Sequence, residues 1–164
     1  MIDPRIVGVI QARMNSRRLP GKVLMEMNDK PLLLSLVNRV RTSKKLKNII
    51  VATTEQVIDD KIVDVCEAEG VDVFRGSEND VLDRMICAGR KVDAEAIVRL
   101  TADNPFVGGD LIDLVIEKFV HHYPMVDYVS NTENSGYPMG LYVEVVNMSS
   151  LEELRRRALS SAQI

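Results

Sequence analysis

Residues Ile6 to Ile10 form an uncharged apolar run that reads as a buried strand, and comparable runs return along the chain with helical patterns between most of them. The further candidates are Ile49 to Thr53, Val71 to Phe74, Ala96 to Leu100, Val126 to Ser130 and Leu141 to Val146. Strands that alternate with helix-length amphipathic segments predict an α/β fold, a mostly parallel sheet with crossover helices. The chain has 164 residues, 46% hydrophobic and 27% charged, which suits one soluble globular domain with a real core.

The helical segments carry their own punctuation. Pro31 suits a first helical turn, and Leu33, Leu36, Val37 and Val40 recur at helical spacing. Asp59 or Asp60 can cap a helix carrying Ile62, Val63, Val65 and Cys66, with Gly70 just past its end. Asp80 is expected to cap a helix from Val81 to about Val92. Asp110 is expected to cap Leu111 to His122, with Leu111, Leu114, Val115, Lys118 and Phe119 facing the sheet. Ser149 or Ser150 opens a last amphipathic segment whose Arg155-Arg156-Arg157 run reads as a solvated helix end. Asn131 to Gly140, with Asn134, Ser135 and Gly136, is a turn-rich loop that can serve as a lid or a dimer arm.

The first strand runs directly into Gln11-Ala12-Arg13-Met14-Asn15-Ser16-Arg17-Arg18-Leu19-Pro20-Gly21-Lys22, where four cations and no anion lie between Arg13 and Lys22. A polar loop leaving a strand end, closed by Pro-Gly and ending in Lys, offers backbone amides and cations to phosphate oxygens. Read on charge alone it is equally a solvated turn; its place after the first strand favours a ligand, because open α/β sheets bind at the carboxyl ends of their strands. The Gly-x-x-x-x-Gly-Lys-Ser/Thr pattern fails at Ser16 and Val23, and no Gly-x-Gly-x-x-Gly lies near Gly8, which argues against a P-loop kinase or a dinucleotide dehydrogenase. Asp103, following Ala96 to Leu100, is expected at the same sheet edge. A carboxylate facing phosphates suits magnesium, while an Asx-turn before Pro105 is the plainer reading of Asp103 by itself.

Other function classes find little support. A net charge of −3 gives no general attraction to nucleic acid. No run approaches the roughly eighteen apolar residues of a membrane span and no signal peptide is evident, so a cytoplasmic location is expected. Cys66 and Cys87 lack zinc or redox spacing and read as reduced structural thiols. The neighbours His121 and His122 point to different helix faces and read as helix-end cations.

Three blocks taken together resemble the cytidylyltransferases that activate sugars: Ile10 to Leu24, Phe74-Arg75-Gly76-Ser77-Glu78-Asn79-Asp80-Val81-Leu82-Asp83-Arg84, and Arg99-Leu100-Thr101-Ala102-Asp103-Asn104-Pro105-Phe106. The likeness is to acylneuraminate cytidylyltransferases and CMP-Kdo synthetases, and most of all to the spore coat polysaccharide biosynthesis protein F group. The resemblance implies a single three-layer nucleotide-diphospho-sugar transferase domain with helices on both faces of the sheet. It further implies that CTP, Mg2+ and a sugar or sugar acid yield a CMP-sugar and pyrophosphate, for surface polysaccharide synthesis.

On the same resemblance, Arg13 and Lys22 are the catalytic cations on the triphosphate, Asp103 binds the metal, and Gln11, Ala12, Ser16, Ser77 and Arg84 help hold the nucleotide. Asp80 and Arg84 also admit a local reading, as a cap and an intrahelical ion pair. Glu144 reads as a solvated or site-facing strand residue. Homodimers are common among such relatives, and the expected unit is residues 1–164 as one nucleotidyltransferase-like domain lacking the family's C-terminal part. A family segment resembling Tyr-Pro-Asp-Gly-Leu-Asp-Val-Glu reads here Tyr137 to Glu144, with Met139 and Tyr142 replacing two carboxylates. That departure leaves a shortened, non-catalytic nucleotide-binding paralogue or assembly subunit as the alternative.

Overall fold

A computed structural model describes residues 3–16, 18–132 and 136–161, with side chains described up to residue 158. Arg17, Asn134 and Ser135, named above, lie outside the described residues. The strands are β1 (Ile6–Gln11), β2 (Glu26–Met27), β3 (Lys30–Pro31), β4 (Asn48–Thr54), β5 (Asp72–Gly76), β6 (Ala96–Thr101), β7 (Tyr128–Ser130) and β8 (Glu144–Asn147). The α-helices are α1 (Leu32–Val40), α2 (Asp60–Ala68), α3 (Val81–Lys91), α4 (Gly109–His122) and α5 (Met148–Ser161).

Six strands form one sheet in the order β5-β4-β1-β6-β8-β7; β2 and β3 form a separate small hairpin. The pairs β4–β5, β1–β4 and β1–β6 are parallel, whereas β8 runs antiparallel to both β6 and β7. The chain steps from β1 outward through β4 and β5, then returns to place β6 on the other side of β1. That reversal opens a crevice beyond the carboxyl ends of β1 and β6.

Alternation along β1 divides the core into two layers. Ile6 and Ile10 point to one face, where they pack with Leu33, Leu36 and Val37 of α1, Ile62 and Cys66 of α2, and Ile112 and Phe119 of α4. Val7 and Val9 point to the other, against Met85, Ile86 and Ala88 of α3 and Met148 at the start of α5. A strand apolar on both faces must be covered on both, which is why the uninterrupted run of β1 occupies the centre.

Three expectations need correction. The stripe α4 turns to the sheet is Ile112, Val115, Ile116 and Phe119, spaced three, four and seven residues from Ile112; Leu114 and Lys118 face outward. Asp110 lies inside the first turn rather than capping it, because the helix begins at Gly109, whose backbone abuts Thr42 and Ser43. The last strand starts at Glu144 rather than Leu141. Ahead of it the Asn131 side chain replaces a neighbouring strand: its Nδ2 donates to the Leu141 carbonyl (2.7 Å) and its Oδ1 accepts from Val143 N–H (2.8 Å).

Candidate functional site

The basic loop is folded onto its own backbone. The Met14 carbonyl accepts from the N–H groups of Ser16 (2.9 Å) and Gly21 (2.8 Å), and Gly21 closes the loop at φ 74°, a conformation that favours glycine. Buried Val23 anchors the 3-10 turn Lys22–Leu24 that follows.

Asp59 ties the loop to the sheet. This carboxylate is 1% exposed and accepts from Met14 N–H (2.7 Å), from Thr54 N–H (3.3 Å) and from the Thr54 hydroxyl. The expectation that Asp59 or Asp60 caps α2 is corrected: Asp59 stands at the cap position but its side chain makes no capping bond there, and Asp60 is already the first helical residue. An aspartate before an amphipathic helix looks like a cap, and no local signal betrays a partner forty-five residues away.

The loop delivers Lys22 to Asp103. Lys22 Nζ donates to Asp103 Oδ2 at 2.6 Å, joining segments eighty-one residues apart in sequence. The carboxyl edge is set by β1 and β6 in register, Gln11 opposite Thr101, and Ala102 N–H bonds to the Gln11 carbonyl (2.9 Å). Burial pushes the Asp103 carboxyl up, but the hydrogen bonds from Lys22 and Thr101 outweigh it and hold the group below its ordinary value. The Asp103 carboxyl is therefore ionised at neutral pH, and both side chains of the pair are only partly exposed.

Around this pair lies a cleft of about 340 Å³. Of the residues expected at the site, Gln11, Ala12, Arg13, Ser16, Lys22, Arg84 and Asp103 all line it, with Arg18 and Val81 beside them. Ser77 does not line it; its hydroxyl accepts from the Asn79 and Asp80 N–H groups ahead of α3, and its carbonyl accepts from Arg84 Nη1. Arg13 is half-exposed and sits 3.7 Å from Glu78.

Arg84 is 3% exposed, and its Nε has no hydrogen-bond partner among the described residues. Burial, and then the neighbouring Arg13 cation, lower its pKa against the supporting charges of Asp59, Glu78 and Asp80. The local reading holds in part: Asp80 caps α3 by accepting from Asp83 N–H (2.8 Å), but the Arg84 guanidinium bonds to the Ser77 carbonyl. Gly76 permits that placement, since a Cβ there would stand 3.3 Å from Arg84 Cγ. Arg84 thus brings a guanidinium charge to the cleft wall, while its unused Nε donor is itself buried.

Asp103 is the one carboxylate on the described cleft wall, and no group of three or more His, Cys, Asp or Glu able to hold a metal occurs among the described residues. Met139 is 88% exposed. Glu144 is engaged by Arg99 and by the Tyr128 hydroxyl. The arginine run at the C-terminal end is not simply solvated, because Arg155 crosses to Asp83 and Asp80 on α3. No helix of the described residues is long and apolar enough to cross a membrane.

Comparison with known proteins gives a consistent picture. The model of the family described as "Cytidylyltransferase" matches residues 7–163. An uncharacterised protein of Methanocaldococcus jannaschii is 43% identical over 159 residues, covering 97% of this chain and 63% of its own length. The spore coat polysaccharide biosynthesis protein SpsF of Bacillus subtilis is 41% identical over 155 residues, covering 92% of this chain and 62% of its own. Among solved structures, a cytidylyltransferase from Leptospira borgpetersenii superposes with a TM-score of 0.89 at 35% identity, covering 93% of this chain and 64% of that one. The chain thus spans somewhat less than two thirds of the length of these relatives.

Proposed function

The chain belongs to the cytidylyltransferase family, and from that premise we propose that its cleft binds CTP with a divalent cation and transfers CMP to a sugar or sugar acid, releasing pyrophosphate, as a step toward a surface polysaccharide. The observation that carries this reading is the meeting of Lys22 and Asp103, at 2.6 Å, on the switch-point edge of the sheet. Cations from one loop and an ionised carboxylate from another are the two charge types that a metal-bound triphosphate needs at once.

Chemistry of this kind asks for position and charge rather than a covalent nucleophile. An acceptor oxygen forms a bond to the α-phosphorus while the bond from that phosphorus to the β-phosphate oxygen breaks. Lys22 and Arg13 would bear on the charge that gathers on the phosphoryl and departing oxygens, with Arg84 adding a third cation from α3. Lining one cleft, two from the basic loop and one from α3, they would restrict the triphosphate's orientation so that the acceptor meets the α-phosphorus in line. Magnesium suits this donor set, because it takes one or two carboxylates and completes its shell with phosphate oxygens and water; Asp103 would hold it, and the ion would supply charge neutralisation across the phosphates.

Met139 and Tyr142, where the family segment carries carboxylates, favour a second reading in which the chain binds nucleotide without turning it over. One series of measurements separates the two. With CTP at a hundredfold over Kd, a thermal-shift comparison of the four nucleoside triphosphates, with and without magnesium, should show about 2.7 kcal/mol of stabilisation. For a chain of this size that is a rise of roughly 5–10 °C. The rise should be greatest for CTP and lost in Lys22→Ala. Pyrophosphate release with a panel of sugars and sugar acids, abolished in Asp103→Asn, marks the enzyme; CTP stabilisation without release marks the binding module. Equal response to all four nucleotides would refute the CTP assignment.

A further inference from the structure

A line of polar side chains crosses the sheet and ends in the cleft. The Tyr128 hydroxyl on β7 donates to Glu144 Oε1 on β8 (2.7 Å), the other oxygen of Glu144 accepts from Arg99 Nη1 on β6, and Arg99 Nε donates to Gln11 Oε1 at the end of β1 (3.1 Å). Registration makes the line continuous, since Arg99 lies opposite both Val9 of β1 and Glu144 of β8, and Gln11 is two residues beyond Val9 on the same face. Gln11 is the member that lines the cleft.

The direction of these bonds fixes the amide. A guanidinium only donates, so the Gln11 carbonyl oxygen must turn toward Arg99 and its NH2 must turn away. No described residue accepts from that NH2. Left to itself, a glutamine carboxamide turns about a soft terminal torsion and presents oxygen or nitrogen to a ligand with little preference. Glu144 holds Arg99 and neutralises its charge, and Tyr128 holds Glu144. We infer that Arg99, clamped by Glu144 and Tyr128, is a positioning residue that presets the Gln11 carboxamide as a hydrogen-bond donor to an oxygen of the bound nucleotide. This rests on the nucleotide reading above and extends it to three residues outside the cleft.

A cross-strand ion pair can equally be a brace for β6 and β8, and a mutant cycle tells the two roles apart. Calorimetric titration with magnesium and CTP is made on the wild type, Gln11→Met, the pair Arg99→Met with Glu144→Gln, and all three together; removing Arg99 and Glu144 jointly leaves no orphaned charge. Gln11→Met should raise Kd about tenfold, the worth of one hydrogen bond to a charged oxygen. The Arg99/Glu144 pair should raise it severalfold, and the triple variant should bind no more weakly than Gln11→Met. A brace predicts instead a fall in melting temperature, with any loss of affinity the same whether or not Gln11 is present. That result, or unchanged affinity in the pair, overturns the positioning role. Tyr128→Phe, which removes one hydroxyl from a half-exposed ring, gives a gentler arm: a rise of about twofold in Kd in the wild-type background and none in Gln11→Met. Wild-type protein that fails to bind CTP would remove the nucleotide reading itself, an outcome distinct from additivity in the cycle.

Discussion

Asp59→Ala tests how the basic loop is held. In the folded chain this buried carboxylate satisfies Met14 N–H, Thr54 N–H and the Thr54 hydroxyl together. Each buried donor left without a partner costs about 1–3 kcal/mol. The full sum is not reached, because the Thr54 hydroxyl also accepts from Gln56 N–H (3.2 Å) and can turn, and Met14, only partly buried, can draw water. Loss of the Asp59 charge adds to the cost, since it is one of three anions supporting buried Arg84.

A net destabilisation of about 3 kcal/mol follows, a large part of the 5–15 kcal/mol typical of a folded domain. Urea unfolding, with a slope near 2 kcal/mol/M, should show the midpoint lowered by about 1.5 M and the slope unchanged. Asp59→Asn should fall between the two, as it keeps one acceptor and turns an NH2 toward the remaining donors. The CTP-induced melting shift should shrink in both, because the loop carrying Arg13 and Lys22 loses its tether. A loss under about 1 kcal/mol in Asp59→Ala, with the CTP shift intact, would refute the idea that a carboxylate outside the cleft sets the loop.

Three further outcomes are expected. Because the Asp103 carboxyl is held below its ordinary value of 3.8, the stability it contributes is present above that pH and lost as pH falls through the lower folded value; the stability difference between wild type and Asp103→Asn, followed by urea titration, should therefore narrow on acidification below about pH 4. Gly109→Ala should unfold or severely destabilise the protein by circular dichroism, since the added Cβ would stand 2.3 Å from the Ser43 nitrogen and 2.4 Å from the Thr42 carbonyl carbon, neither of which can yield as a side chain would. Burial, with Glu67 nearby, pushes the Cys66 thiol up to about 12, so mass spectrometry after iodoacetamide at pH 8 should find native Cys66 unmodified and the more accessible Cys87 labelled, with both labelled in denaturant.

The layering was legible because it is a local property. Short uncharged apolar runs such as Ile6 to Ile10 read as strands covered on both faces, and the spacing of Leu33, Leu36, Val37 and Val40 reads as one side of a helix; both hold in the fold. Element ends were less legible wherever a distant group decided them. The β2–β3 hairpin leaves no periodic trace in the sequence, because its strands are too short to show a period, although Asn28 and Asp29, at φ 53° and 59°, carry a turn signal. β8 begins late because the Asn131 side chain takes the place of a strand ahead of it, and α4 begins at Gly109, ahead of Asp110, where its backbone comes close to Thr42 and Ser43.

By itself the sequence determined the alternation of strands and helices, the basic loop at the end of β1, and the family that the three blocks resemble. Only the tertiary structure decided that Lys22 meets Asp103, that Asp59 serves the loop rather than its helix, and that Arg99 turns toward Gln11. The first set depends on periodicity and composition within a few residues, which any stretch of chain carries along its length. The second depends on strand order and register, which bring forty-five to eighty-eight residues of separation down to one hydrogen bond, and nothing in the local pattern records which donor will find which acceptor.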